Sequence, residues 1–284
     1  MTWQAFIFLS IIFYSTSVLL QRTLLKDKDS DPIAYSIFSQ IIVGMVVILV
    51  GLLTLQDMSM PAIGPLLFNI ILMGVLYGVF HFASFTSLKE GEASQFTIIF
   101  SSRVFFTTLA SALFLKEVLI GEQVLGALFI FSGVVLVSLK KAKLILKRSE
   151  LLALLAAMSF GFANTVDRTL LMSFNLYPYT ALSFFLTAGI LLLVRPKSIS
   201  KMKVFSRKDT LSKMLMFSTL YAFSSIAFYG ALQLTNNSSQ VVTVSLLSVI
   251  VIVLLSAIFL KERGNLSRKI IGAILSFIGL LLVT

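Results

Sequence analysis

Residues Leu109–Glu117 read LASALFLKE, and residues Leu254–Glu262 read LLSAIFLKE. The agreement extends outward from this pair. Ahead of it, Ser94-Gln95 matches Ser239-Gln240. Behind it, Gly126-Ala127 matches Gly272-Ala273, with Gly133 opposite Gly279. Near the front of the chain, Arg22-Thr23-Leu24-Leu25 recurs as Arg168-Thr169-Leu170-Leu171, then Pro32 answers to Pro178 and Phe38 to Phe184. Apolar composition alone would scatter Leu and Val matches. It would not place these residues in one order at a nearly constant offset. The sequence therefore reads as two homologous halves, residues 1–146 and 147–284.

Composition says where such a chain lives. Of its 284 residues 58% are hydrophobic and 12% charged, against roughly 25% charged in an average soluble domain. The mean hydropathy is +1.00. One soluble core cannot hide so much apolar sequence, so the expected solvent is the lipid bilayer. The chain has no Cys, which excludes disulfides and thiolate metal sites. The net charge of +11 does not indicate nucleic acid, because the Lys and Arg sit in short gaps between apolar runs, where they orient membrane proteins. Residues 1–10 lack a basic segment, and no small-residue cleavage site follows. The first apolar run is read as a retained span.

A helical span needs about 20 mostly apolar residues, and ten candidates emerge. The first five are Trp3–Leu25, Pro32–Leu55, Ala62–Leu88, Ala93–Leu115 and Val124–Leu139. The second five are Leu151–Met172, Pro178–Val194, Leu211–Leu234, Ser239–Leu260 and Arg268–Val283. Long unbroken apolar runs exclude a membrane barrel, whose strands alternate over about ten residues. The expected fold is an all-α integral membrane protein.

Five spans per half is an odd number. The second half must then enter the membrane the other way up, which gives an inverted-topology repeat around a central cavity, the architecture of alternating-access transporters. Here the sequence resembles the EamA branch of the drug/metabolite transporter superfamily: ten spans in two five-span repeats, with an aliphatic fourth span ending in FLKE before a fifth that opens on Gly-Ala. The resemblance implies a cavity built mainly from spans one to four of each half, with the fifth and tenth peripheral. It also implies movement of small metabolites, amino acids among them, often by proton coupling or exchange, in a multi-pass protein of the cell membrane.

Lys and Arg concentrate in the gaps after odd-numbered spans, from Arg22 to Lys269, whereas the gaps after even-numbered spans hold only Lys116. The positive-inside rule puts the first set in the cytoplasm and both termini outside.

Arg103 is the most informative single residue. It falls near the middle of the fourth expected span, where a charge costs roughly 3 kcal/mol. Ser94, Ser101 and Thr108 form one polar stripe on that span, and Gln95 and Ser102 form the next. Arg103 reads either as a cationic anchor for a substrate carboxylate or phosphate, or as a structural Arg held by an ion pair or by carbonyls. Its counterpart in the second half is Ser248. Asp167, near the end of the sixth span, is a candidate proton carrier or a charge reaching for the interface. His81, the only His, is a candidate proton relay or a packing residue. Tyr14, Tyr77, Tyr221 and Tyr229 are candidate cavity aromatics, and Asn164, Gln40 and Gln240 candidate cavity or interhelical amides. Arg22 and Arg168 are expected to position helices. Lys89, Glu90 and Glu92 read as a solvated turn, and Gly126, Gly133, Gly272 and Gly279 as a seam for close helix contact, hinge motion or a homodimer.

The function class that fits is a secondary transporter of a small-molecule substrate, not an enzyme. No phosphate-binding loop of the Walker type is present. A single His excludes an H-E-x-x-H site, which weakens the competing reading of an intramembrane enzyme. Connectors too short to bind a soluble partner weaken that of a sensor or assembly subunit. No cofactor is expected.

Overall fold

The computed structural model describes residues 2–27, 29–115, 121–140, 143–144, 147–234, 241, 244–262 and 264–283. The chain forms helices almost throughout: α1 (Trp3–Leu25), α2 (Pro32–Leu53), α3 (Leu67–Glu90), α4 (Ala93–Phe100), α5 (Arg103–Leu115), α6 (Gly121–Ser138), α7 (Arg148–Leu171), α8 (Leu176–Val194), the short α9 (Ser198–Lys201), α10 (Lys208–Leu234), α11 (Leu247–Phe259) and α12 (Leu266–Val283). An antiparallel ribbon, Leu139–Lys140 with Lys143–Leu144, interrupts the all-helical expectation in the connector between halves.

Helix starts follow local chemistry. Asp31 caps α2 by accepting hydrogen bonds from the N–H groups of Ile33 and Ala34, with Pro32 at the first helical position, where its missing N–H costs nothing. Six described helices are long and apolar enough to cross a membrane: Trp3–Leu25, Pro32–Leu53, Gly64–Glu90 (which includes a 3-10 turn), Arg148–Leu171, Leu176–Val194 and Lys208–Leu234.

The fourth expected span is not one helix. It breaks at Ser101 and Ser102 into α4 and α5. The residue that matches Ser101 in the second half is Leu246, and it too is a turn, ahead of α11. In the first half the cause is visible. The hydroxyls of Ser101 and Ser102 donate to the carbonyls of Ile98 and Ile99 at 2.6 and 2.7 Å. The same carbonyls also accept the Ser101 and Ser102 N–H groups in tight three-residue turns. Short polar side chains thus satisfy backbone groups that a break would otherwise orphan in an apolar setting.

The bundle exposes a mainly apolar surface, as lipid demands, and its largely apolar interior also holds buried hydroxyls. Leu53 is 73% exposed and Phe68 75%, whereas Ser17 and Ser36 are fully buried. Small residues let helices approach closely. All four seam glycines, Gly126, Gly133, Gly272 and Gly279, are buried, and α6 and α12 pack extensively on one another within the chain.

The helix pairings have an internal order. α2 packs on α8, α1 on α10, α3 on α7, α6 on α12 and α4 on α11. Exchanging the halves leaves the set unchanged: the α1–α10 pair becomes the α7–α3 pair, and the other three map onto themselves. The residues expected to form a solvated turn instead make ion pairs. Glu90 meets Arg148 at 2.8 Å and Glu92 pairs with Lys269, joining the halves. Lys89 donates to the Ser30 carbonyl.

Candidate functional site

A cavity of about 80 Å3 lies in the middle of the bundle, walled by α1, α3, α7, α8 and α10 and by both broken spans. Of the residues singled out in the sequence, Arg103, Tyr14, Tyr77, Tyr221, Tyr229 and His81 line it. Asp167 lies one layer behind. Gln95, Ser102 and Asn164 do not line the cavity. Ser102 spends its hydroxyl on the helix break, Gln95 is half-buried on α4, and the Asn164 amide is buried with no hydrogen-bond partner among the described residues. Gln240 and Lys116 lie outside the described residues. Gln40 is buried in α2, away from the cavity wall.

Arg103 is the first residue of α5, so the helix break brings it to the cavity. Its guanidinium lies 4.5 Å from the Phe100 ring centroid and 5.7 Å from that of Phe160. Phe80, Phe100 and Phe160 form a continuous aromatic floor, with centroids 5.0 to 5.5 Å apart. Such faces attract a cation without neutralising it. Arg103 makes one side-chain hydrogen bond, to Ser245 Oγ at 3.4 Å, from a group that carries five N–H donors. Among the described residues no carboxylate pairs with it.

The position of Arg103 depends on a close helix crossing. A Cβ added to Gly161 of α7 would come within 2.8 Å of both the Arg103 carbonyl oxygen and the Thr107 nitrogen. Only glycine lets the α5 backbone lie this near α7.

A second polar group lies behind the cavity wall. Asp167 of α7 is fully buried. Tyr77 Oη of α3 donates to its Oδ2 at 2.5 Å, and Tyr179 of α8 donates to its Oδ1. Tyr77 Oη also lies 2.9 Å from Tyr229 Oη of α10. Two helices thus supply tyrosines to one carboxyl group carried by a third, and Tyr229 of α10 extends the chain from Tyr77. His81, one turn from Tyr77, stacks on it at 6.2 Å, and its Nδ1 has no hydrogen-bond partner among the described residues.

Sequence reasoning missed Tyr179 and the small hydroxyls of the wall. The Ser10 hydroxyl meets that of Ser224 at 3.2 Å across α1 and α10, and Ser183, Thr187 and Ser245 line the same space. The available signal was a hydroxyl in an otherwise apolar run, and serines and tyrosines are too common there to be singled out without the packing.

Long apolar helices and a central cavity at two broken helices are the features of an integral membrane protein. The family comparison names the class. The EamA-like transporter family matches residues 1–139 and again residues 147–284, so the chain belongs to the EamA-like transporter family. A crystal structure of a protein 16% identical in sequence shares the fold, with a TM-score of 0.67 over 99% of this chain and 95% of the other. No curated protein matches the sequence.

Proposed function

We propose that this protein is a secondary transporter of small carboxylate-bearing solutes, amino acids or related organic acids, working by alternating access in the cell membrane. The observation that carries the reading is Arg103: a buried cation at a helix break, facing a cavity, with no carboxylate partner among the described residues. A solute carboxylate would supply the missing charge and accept its free N–H donors. The N-terminus of α5, which begins at Arg103, adds its own positive end. The Phe80–Phe100–Phe160 floor would hold an apolar portion, and the serines and tyrosines of the wall the remaining polar groups.

Alternation follows from duplication. Two halves of five spans each, ten in all and inverted relative to one another, can exchange conformations, so inward-open and outward-open states are related by the pseudo-symmetry. The exchangeable helix pairings, the equivalent breaks at Ser101 and Leu246 and the double family match support this reading. Lys and Arg placement puts the connectors after odd-numbered spans in the cytoplasm.

The test is a thermal-shift screen of purified protein, wild type beside Arg103→Ala, against amino acids, organic acids, nucleotides, sugars and amphipathic cations. A ligand that binds only the folded state raises Tm. The expected result is stabilisation of wild type by a carboxylate, with affinity about 10- to 100-fold weaker in the variant, the size of a charged hydrogen bond. Stabilisation only by cations, or equal stabilisation of both proteins by a carboxylate, overturns the anchor. Alternation is tested separately. The chain has no native Cys, so Ser224→Cys offers one thiol on the cavity wall, and it should label from either side of the membrane in turn as a solute gradient is reversed.

A further inference from the structure

The hydrogen bonds around Asp167 form a chain with a direction. An ionised carboxylate only accepts, so Tyr77 must give its proton to Asp167 Oδ2 and Tyr179 must give its own to Oδ1. With its proton committed, the Tyr77 oxygen can only accept from Tyr229, 2.9 Å away. Ser183 gives its own hydroxyl proton to the Thr180 carbonyl at 2.8 Å. Tyr77, Tyr229 and Ser183 all line the cavity, and Asp167 and Tyr179 do not. While Asp167 is ionised, every tyrosine proton in the chain points away from the cavity, and Tyr229 and Ser183 face it with oxygen lone pairs.

We propose that Asp167 is a proton-binding site whose occupancy sets the hydrogen-bonding polarity of the cavity wall, and so couples proton uptake to binding of an anionic solute. A proton taken from water onto Asp167 Oδ2 makes the carboxyl a donor to Tyr77 Oη. Tyr77 then turns its O–H towards Tyr229, and Tyr229, which lines the cavity, is free to turn its own towards that space. No covalent bond forms or breaks beyond protonation of the carboxyl group. The wall gains one donor facing the space that Arg103 also faces. By linkage, an anion that uses this donor binds the protonated form more tightly and raises proton occupancy by the same factor.

The surroundings suit such a switch. The helices packed on α7 bring Tyr77 and His81 from α3, Tyr179 from α8 and Arg103 from α5, and Tyr229 of α10 joins through Tyr77. None of the described side chains forms an ion pair with Asp167. Arg168, its neighbour in sequence, is exposed. The half of this inference that concerns coupling rests on the proposed solute site, and the half that concerns polarity does not.

The test uses full-length protein in detergent and has two arms. In the ligand-free arm, infrared difference spectra are recorded across about pH 5 to 9, a range in which buried carboxyl groups titrate, with ring-labelled tyrosine. A protonated-carboxyl band should grow as pH falls, together with a change in the tyrosine modes. Asp167→Asn should abolish both, and Tyr229→Phe should keep the carboxyl band but lose part of the tyrosine change. In the second arm, benzoate binding is measured calorimetrically in two buffers of different ionisation heat. Wild type should take up protons on binding and bind up to about tenfold more tightly at the acid end, the worth of one hydrogen bond. Tyr229→Phe should bind with the same affinity at both ends. Absence of a pH-dependent carboxyl band belonging to Asp167 overturns the proton site. A band that titrates without any tyrosine change overturns the polarity switch, and benzoate binding without proton uptake overturns the coupling. If benzoate does not bind at all, the fault lies with the Arg103 site for this probe, and the infrared arm alone decides the inference.

Discussion

Glu262 and Arg22 form an ion pair across the two halves, with Arg22 Nε 3.5 Å from Glu262 Oε1 and both side chains largely buried. Each also ties down a helix end. The Glu262 carboxylate accepts from the N–H groups of Ala93 and Ser94 at 3.2 Å and from the Ser94 hydroxyl at 3.1 Å, which caps the first turn of α4 where the helix dipole favours an anion. Arg22 donates to the carbonyls of Leu88 and Lys89 at the end of α3, where the dipole favours a cation. The glutamate of the recurring FLKE motif therefore caps the broken span of the opposite half, and the arginine of the recurring RTLL motif is its partner. This gives the repeated sequence a job. On the expected topology the cluster lies at the cytoplasmic face and fastens α1, α3 and α4 to the end of α11.

Loss of Glu262 should cost more than a surface charge would. Glu262→Ala leaves Arg22 buried without its counter-ion and the α4 N–H groups without their cap. Breaking a buried pair costs about 3–5 kcal/mol. Glu262→Gln keeps an acceptor and should cost less. Thermal unfolding of the two variants beside Arg22→Ala and the double variant measures this. The double variant should be less destabilised than the sum of the singles, because the pair is lost only once.

Gly161→Ala should disturb the site before it disturbs the fold. The new methyl group would meet backbone atoms of α5, which cannot rotate away, so α5 and with it Arg103 must shift. Overpacking of this kind costs about 1–3 kcal/mol. Gly78→Ala is the control, since its Cβ would meet only Ile190 Cγ2, at an ordinary 3.5 Å. Carboxylate binding should weaken in the first variant and hold in the second, with both proteins eluting as folded species from a sizing column.

Much of the architecture was legible because lipid makes strict demands. Trp3–Leu25 has the same ends in sequence and structure, since an apolar run bounded by Thr2 and Lys26 has little freedom. The break at Ser101 and Ser102 was hidden, because the same serines read as a polar stripe on a continuous helix. Arg103 stood out because a charge in an apolar run is costly anywhere. Tyr179 did not, because a tyrosine near a helix end ordinarily marks an interface, and only packing reveals that its hydroxyl meets Asp167. The turn at Lys89–Glu92 looked solvated because its partners, Ser30, Arg148 and Lys269, are remote in sequence.

Stability should fall in acid through Asp31, which lies outside the membrane spans. Partial burial tends to raise its pKa. The hydrogen bond from Lys201, the Ala34 N–H and the charges of Lys201 and Arg195 outweigh that, and the net effect holds the carboxyl below the usual aspartate range. A group whose pKa is depressed by folding stabilises the protein fully above its unfolded value, about 3.9, and loses that stabilisation as pH falls through the folded value. Asp31→Ala should cost about 1 kcal/mol at neutral pH through the lost cap. Melting curves of wild type and variant should converge as pH drops below about 4. A gap that stays constant down to about pH 3 would show that the Lys201 contact at 2.7 Å does not couple to folding.

The serine break makes the boldest prediction. Ser101→Ala with Ser102→Ala removes both hydroxyls that hold the Ile98 and Ile99 carbonyls and installs the residue with the highest helix propensity. The cheapest way to satisfy those carbonyls in an apolar setting is then the ordinary helical bond, so α4 and α5 should fuse into one straighter helix. Thermal stability should be retained, while the first turn of α5 rotates and Arg103 leaves the Phe100 face. Spin labels on cysteines placed at Thr97 and Thr108, clean probes in a chain without native Cys, would report the straightening as a longer interspin distance. Carboxylate binding should weaken to the level of Arg103→Ala. An unchanged distance with unchanged binding would mean that the break is imposed by tertiary packing, chiefly by α7 against α5 at Gly161, and not by the serines.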